Sequence, residues 1–282
     1  MPPPIKLSIV FLNFNRIEET RYTVERLKKL CDHRIDVEII AVDNGSTDGT
    51  AEFLQQQEFL TSILLKENTG IAGYNQGFEQ AQGEFILVLD DDSCPADFET
   101  IDRAMDTLDQ KPDIGIIACR IVTPDGENQW SWHLPVSQSF SPSPFFIGCG
   151  FVIRGSLFKQ IGWYPGRFFL YQNEIDVSFQ TRLQGYSIYY DPHCKIIHRG
   201  TPNQRPGWRR IYYPTRNTIW LLRRYYPQPE ASYMIFSRIL IGFVRALTFK
   251  ELPNYFKALR DAFKIPVEKC LLPAELRKDF AP

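Results

Sequence analysis

The sequence predicts an α/β fold: a mostly parallel central sheet flanked by helices, followed by a C-terminal helical extension. Three observations carry this. Short apolar runs alternate with helical periodicities between Leu7 and Ala118, the pattern of a sheet covered by helices on both faces. The runs end in polar turns rich in Asp, Asn and Gly. The apolar run Phe85–Leu89 ends abruptly in Asp90-Asp91-Asp92. Such a run is too short for an average helix and reads as a buried parallel strand. Its carboxylates then sit at the strand's carboxyl end, where open α/β sheets bind ligands. Three adjacent acids repel one another, so a cation is favoured there; hard oxygen ligands suit Mg²⁺ or Mn²⁺ holding a diphosphate.

In order along the chain, Leu7–Leu12 reads as the first strand. Asn13-Phe14-Asn15-Arg16 follows where a dinucleotide-binding fold would place glycines, and no GxGxxG is present. Glu18–Leu30 is a helix with Val24, Leu27 and Leu30 at helical spacing. Val37–Val42 is the second strand, ending in the polar turn Asp43–Thr50, which can cap the next helix. Ile63–Leu65 is a short strand leading to Glu67–Gly77, whose three glycines permit close approach of backbone to a ligand. After the acidic strand come a helix around Phe98–Leu108 and a strand at Ile114–Ala118. Thr123–Pro144 holds four prolines, Trp130 and Trp132, and reads as a long loop or small hairpin of the kind that forms functional lids. Phe145–Arg154 reads as a strand. Asn173-Glu174-Ile175-Asp176 opens a helix with Ile175, Phe179 and Leu183 one turn apart, its acids suited to the helix N-terminus. Ser187–Tyr190 and Lys195–Ile197 are late strands ending at His198. Beyond Arg205, Tyr212–Asn217 opens a helix, Tyr233–Thr248 is strongly apolar, and Leu252–Phe263 is amphipathic.

The totals sharpen this division. The net charge of −1 conceals 17 Lys+Arg against 27 Asp+Glu in residues 1–204 and 15 against 6 in residues 205–282. A basic C-terminal part suggests an anionic partner: lipid surface, nucleic acid or phosphate. The acidic first part would repel a long polyanion, which argues against nucleic acid. The six cysteines form no CxxC pair or zinc spacing and suit a reducing cytosol. The N-terminus has no signal-peptide pattern. No uninterrupted apolar run reaches spanning length; the longest candidate, Ile239–Val244, lies between Arg238 and Arg245.

Several motifs agree in order and spacing: Ser8–Arg16, Val42–Thr50, Asn68–Gly77, Asp90-Asp91-Asp92 and Asn173–Asp176. Together they resemble the inverting glycosyltransferases of family two, with the nucleotide-diphospho-sugar transferase (GT-A) fold. Tyr212-Tyr213-Pro214-Thr215-Arg216-Asn217 is similar to bacterial rhamnosyltransferases and related galactosyl- and galactofuranosyltransferases of surface-polysaccharide assembly. The resemblance implies a transferase domain over residues 1–205 and a basic, aromatic-rich helical extension over 206–282. It implies a donor site built from Asn13, Asn15, Asp43, Asn68, Gly73, Asn75, Asp90 and Asp91, with Asp43 on the base or ribose and Asp90 on the ribose. Asp92 and His198 are the implied ligands of Mn²⁺ or Mg²⁺. Glu174 falls where the family has the second acid of a Glu-Asp pair, its catalytic base. Here the pair is Asn173-Glu174, which leaves Glu174 and Asp176 both open for the role. Trp130, Trp132 and Arg216 are candidate acceptor contacts.

The expected reaction is a metal-dependent single displacement. It moves a sugar, first choice rhamnose from dTDP-rhamnose, then galactofuranose or galactose from UDP, to a hydroxyl of a growing glycan or lipid-linked acceptor. A nucleotidyltransferase would need a glycine-rich, basic loop after the first strand, which is missing. A catalytically inactive nucleotide-sugar-binding scaffold is the alternative from another class. The expected location is cytoplasmic, peripheral on the inner face of the cytoplasmic membrane, with the extension forming a lipid contact or a homodimer interface.

Overall fold

The computed structural model describes residues 4–129, 134–135, 137–200 and 207–279. The chain divides into two compact units: residues 1–167 with 177–200, and residues 168–176 with 201–282.

The first unit is built on a nine-stranded sheet of order β3-β2-β1-β4-β8-β6-β9-β5, with β7 paired to β9. The strands are β1 (Leu7–Asn13), β2 (Val37–Asp43), β3 (Thr61–Leu64), β4 (Phe85–Asp90), β5 (Ser93–Pro95), β6 (Ile114–Val122), β7 (Ser141–Pro142), β8 (Gly150–Arg154) and β9 (Ser187–His198). The helices are α1 (Ile17–Leu30), α2 (Thr50–Gln55), α3 (Gly73–Gln80), α4 (Phe98–Gln110), α5 (Gly155–Gln160) and α6 (Asn173–Leu183), whose first turn belongs to the second unit. The expected parallel order holds for β3-β2-β1-β4 and for β6 with β9. Between them β8 runs antiparallel to both β4 and β6.

The apolar faces of β1, β2 and β4 meet α1 and α4 in one core, with Leu7, Ile9, Phe11, Leu27, Leu87, Ala104 and Leu108 sealed from solvent. Asp97 caps α4 by accepting from Thr100 N at 2.8 Å. The register sets Asn13 beside Asp43 and Leu12 beside Asp90. The carboxyl ends of three neighbouring strands therefore carry polar side chains along one edge, while the strand interiors are buried.

Three sequence expectations change. Only Gly150–Arg154 of the stretch 145–154 is a strand. The two late strands are a single β9, because a register shift between Cys119 and Arg120 lets β6 follow it past Asp191. The glycines of the 68–77 loop approach the sheet itself. A Cβ on Gly73 would stand 2.9 Å from both Asn44 Oδ1 and Leu12 Cδ1, and one on Gly77 2.7 Å from Val10 Cγ1. Small residues here let α3 lie close on β1 and β2.

The second unit holds α7 (Arg209–Tyr225), α8 (Glu230–Thr248), α9 (Leu252–Lys264) and α10 (Ala274–Asp279). Ile211, Ala246 and Tyr255 form its small core, joined by Leu252 and Leu259. α7 begins before Tyr212 and carries Pro214 within its first two turns, where only one backbone bond is sacrificed. Among the described residues, α8 is the one helix long and apolar enough to cross a membrane by length and composition. The uninterrupted apolar run itself still ends at Arg238 and Arg245, which a helix sets, seven positions apart, on one side.

Candidate active site

The acidic triplet is divided between two kinds of partner. Asp90 Oδ1 accepts from Tyr74 Oη at 2.9 Å. Asp91 and Asp92 are both buried and share one cation: Arg16 Nη1 lies 2.6 Å from Asp91 Oδ1 and Nη2 2.8 Å from Asp92 Oδ2. Burial pushes the Asp91 carboxyl well up, against the pull of Arg16. Burial also opposes ionisation of Asp92, but His198 and Arg16 outweigh it and hold that carboxyl at about 2.

His198 arrives by backbone pairing. The turn after the triplet runs directly into β5, which pairs antiparallel with the end of β9 so that Ser93 faces His198. Arg199 N donates to Asp92 O at 3.0 Å. His198 Nε2 comes within 3.3 Å of Asp92 Oδ1, and one ligand atom from each of Asp90, Asp92 and His198 falls within 4.8 Å of the others. Burial lowers the His198 pKa, but the Asp92 carboxylate overrides it and the net shift is upward.

The cluster fits a divalent cation. Asp92 Oδ1 is buried, makes no hydrogen bond, and meets His198 Nε2 only at ion-pair distance, 3.3 Å, so both atoms could turn to a cation set between them. Two carboxylates and an imidazole form a hard-to-borderline donor set compatible with Mn²⁺. Gln129 orients the ring: its Oε1 lies 2.8 Å from His198 Nδ1 and its Nε2 donates to His198 O at 2.8 Å. A tight turn after β6 returns Gln129, whose N–H donates to Ile121 O at 3.0 Å. With Nδ1 engaged, Nε2 is the nitrogen directed at the acids. Arg16, Tyr74 and Gln129 were not singled out from the sequence; their partners lie far along the chain.

The other donor-site candidates divide sharply. Asp43 Oδ2 accepts from Ser46 N at 2.9 Å, while Oδ1 is buried with no hydrogen-bond partner. Asn13 is fully buried, donating to Val42 O and accepting from Thr20 Oγ1. Asn15, at φ 51°, ties two loops by accepting from Thr47 N at 2.7 Å and donating its own N–H to Ser46 Oγ. Asn68 Oδ1 accepts from Gly70 N and Asn44 Nδ2. Asn75 makes both bonds of its amide to the backbone of Tyr164. These asparagines hold loops in place, and Asp43 alone keeps an unpartnered buried acceptor.

Glu174 and Asp176 lie in the first turn of α6. Tyr225 Oη donates to Asp176 Oδ1 at 2.7 Å. Burial raises the Asp176 pKa, more than Tyr225 and Arg224 lower it. The segment entering this turn is left-handed at three non-glycine residues: Phe169 (φ 59°), Tyr171 (φ 67°) and Gln172 (φ 69°). Asn217, fully buried, donates its amide to Phe168 O (3.1 Å), Leu170 O (2.8 Å) and Tyr171 O (3.0 Å). Arg216 Nη2 adds a bond to Phe168 O at 2.9 Å, and its guanidinium stacks over Trp220 at 4.5 Å. Arg216 thus braces this segment. Trp130 and Trp132 lie outside the described residues.

An α/β sheet with an acid–imidazole cluster at the carboxyl end of a central strand is the layout of the GT-A glycosyltransferases, and comparison with solved structures gives the same fold. A Pyrobaculum calidifontis mannosyltransferase, solved with GDP-Man and Mn²⁺, superposes with a TM-score of 0.63 at 17% identity, over 98% of this chain and 79% of that one. S. aureus TarS 1–349, solved with UDP-GlcNAc, gives 0.63 at 17% identity over 91% and 80%. The chain belongs to Glycosyl transferase family 2, whose profile matches residues 8–190. A curated relative, the undecaprenyl-phosphate 4-deoxy-4-formamido-L-arabinose transferase of Photorhabdus laumondii, is 33% identical over 116 residues. That match covers 39% of this chain and 35% of the relative. The chain spans about a third or less of the length of the curated relatives it matches first.

Proposed function

We propose that this chain transfers a glycosyl group from a nucleoside-diphosphate donor to an acceptor hydroxyl, with inversion. The observation that carries the reading is the cluster of Asp90, Asp92 and His198, assembled from β4 and the distant end of β9. Asp92 and His198 would hold Mn²⁺ or Mg²⁺, which neutralises the leaving diphosphate. Asp43 Oδ1 offers its unpartnered acceptor to the base or ribose, and Asp90 faces the ribose. Asp91 is tied to Arg16, whose charge offsets part of the triplet's. Glu174 accepts the proton of the attacking hydroxyl. Glu174 is preferred to Asp176 because it falls at the position of the second acid in the pair that the resembled glycosyltransferases use as base. Attack from the face opposite the leaving group is a single displacement and needs no enzyme nucleophile.

For the donor, the resemblance of Tyr212–Asn217 supports dTDP-rhamnose first, then UDP-galactofuranose and UDP-galactose. The names of the relatives favour a lipid-linked acceptor and surface-polysaccharide assembly. The test is a panel of nucleotide sugars, including GDP-mannose and UDP-GlcNAc, assayed with Mn²⁺ and with Mg²⁺ for thermal shift and for release of nucleoside diphosphate. One donor should stabilise the protein and turn over, and Asp92→Ala should abolish the metal-dependent part of both. Stabilisation by a donor without any release, with acceptor lipid supplied, would overturn the catalytic reading in favour of a scaffold.

A further inference from the structure

α8 presents an apolar stripe to solvent. Tyr233, Phe236, Leu240, Val244 and Leu247 recur at helical spacing along one side, and are 77%, 62%, 53%, 62% and 50% exposed. Only Ala231, Ile235 and Ala246 of this helix are buried. The stripe continues onto α9, where Phe256 stands 6.5 Å, ring to ring, from Phe243 of α8. Exposed apolar surface of this extent marks an interaction site. Its charge is one-sided. Residues 231–265 contain six Lys or Arg against Glu251 and Asp261, and no acid lies between 231 and 250. Arg238, Arg245, Lys250, Lys257, Arg260 and Lys264 are all exposed.

We propose that this face of α8 and α9 docks in the plane of an anionic lipid bilayer, with the apolar stripe in the acyl boundary and the flanking cations on lipid phosphates. The partner chemistry follows from the two features together. A second copy of the chain would set the same cations against themselves across a two-fold interface. A phosphate-rich membrane surface answers both the apolar stripe and the charge. The helix lies on the bilayer and does not cross it, although its length would suffice. Its back is committed to protein: Tyr255 Oη donates to Ile239 O, and the Tyr255 ring closes on Gly242. Crossing would drag α9, with Lys257, Arg260 and Lys264, into hydrocarbon. The docking does not depend on the proposed glycosyl transfer, so each can fail without the other.

The experiment is flotation of the full chain with vesicles, without donor or acceptor. Vesicles of phosphatidylcholine with 30% phosphatidylglycerol, on the order of physiological anionic content, are compared with pure phosphatidylcholine. Binding to the anionic vesicles is expected to exceed binding to the neutral ones by about tenfold or more, and to weaken with salt as the charges are screened. Phe236→Ser/Leu240→Ser/Val244→Ser should lose binding, as should Arg238→Glu/Arg245→Glu, with both retaining the wild-type circular dichroism and melting temperature. Equal binding to neutral vesicles would overturn the commitment to anionic lipid. Absence of binding, with a wild-type dimer that the triple variant converts to monomer, would overturn the proposal in favour of self-association.

Discussion

Asn217 offers the most demanding test of how the second unit serves the proposed base. Its amide has two hydrogens and reaches three carbonyls, so one contact is shared. It stabilises a segment in which three non-glycine residues are left-handed, each costing of order 1–3 kcal/mol. Asn217→Ala removes the donors to the part-buried carbonyls of Leu170 and Tyr171. At about 1–3 kcal/mol for such a group, with Arg216 still serving Phe168 O, the loss over the other two carbonyls is about 2–6 kcal/mol. That approaches the stored strain, so the segment relaxes and the first turn of α6, with Glu174, is displaced. A displacement of about 1 Å can cost on the order of 100-fold in turnover, equivalent to about 2.7 kcal/mol in the barrier. The assay is steady-state glycosyl transfer alongside donor binding by calorimetry. Asn217→Ala should lower kcat by about that factor, while the donor Kd stays within about twofold. Asn217→Gln keeps the donors on a longer arm and should recover part of the rate. A folded Asn217→Ala with unchanged kcat would refute the positioning role.

Three further expectations are separable. Gln129→Ala should lower Mn²⁺ affinity about 10- to 100-fold, as loss of a partner orienting a metal-bound histidine does, measured by metal titration of the donor-induced thermal shift. Glu174→Gln should retain donor binding and lower transfer by about 10²- to 10⁴-fold; near-normal turnover would sink the base assignment. Asp176→Asn keeps an acceptor for Tyr225 while removing a buried charge. Because the folded Asp176 pKa is raised, its contribution to stability is full below the unfolded value of 3.8 and is lost as pH rises through the folded value. The variant should therefore melt higher than wild type near pH 7, with the gap narrowing towards pH 4, and should keep transferring sugar. Loss of transfer would move the base to Asp176.

What was legible in the sequence followed from local signals. The run Phe85–Leu89 ending in carboxylates announced a buried strand with a ligand edge, because strand length and apolar content are local. The polar turn after β2 announced the end of that strand in the same way, whereas a role for Asp43 came only from the family resemblance. Arg16, Gln129 and the β5–β9 pairing were not legible, because each depends on which strands become neighbours. Arg16 is 75 positions from Asp91, and nothing in Leu12–Arg16 marks it as their counter-ion. The left-handed segment before α6 was hidden for another reason. Such backbone is normally announced by Gly or Asn, whereas here Phe169, Tyr171 and Gln172 occupy it and the stabilising side chain comes from α7. The glycines at 73 and 77 were noticed, but their space serves helix-on-sheet contact.

The division of the triplet explains why three acids can be adjacent at all. Arg16 bonds one oxygen of Asp91 and one of Asp92, so its single charge offsets part of the buried charge of the pair. What remains directed at His198 is Asp92 Oδ1, 3.3 Å from its Nε2, with Asp90 held alongside by Tyr74. Because Arg16 fixes the opposite edge of the Asp92 carboxylate, Oδ1 cannot rotate away when a cation is absent. Without that counter-charge the adjacent acids would repel one another. The same fork accounts for an arginine standing where a dinucleotide-binding sheet places a glycine: the loop after β1 carries a counter-charge for the acidic end of β4.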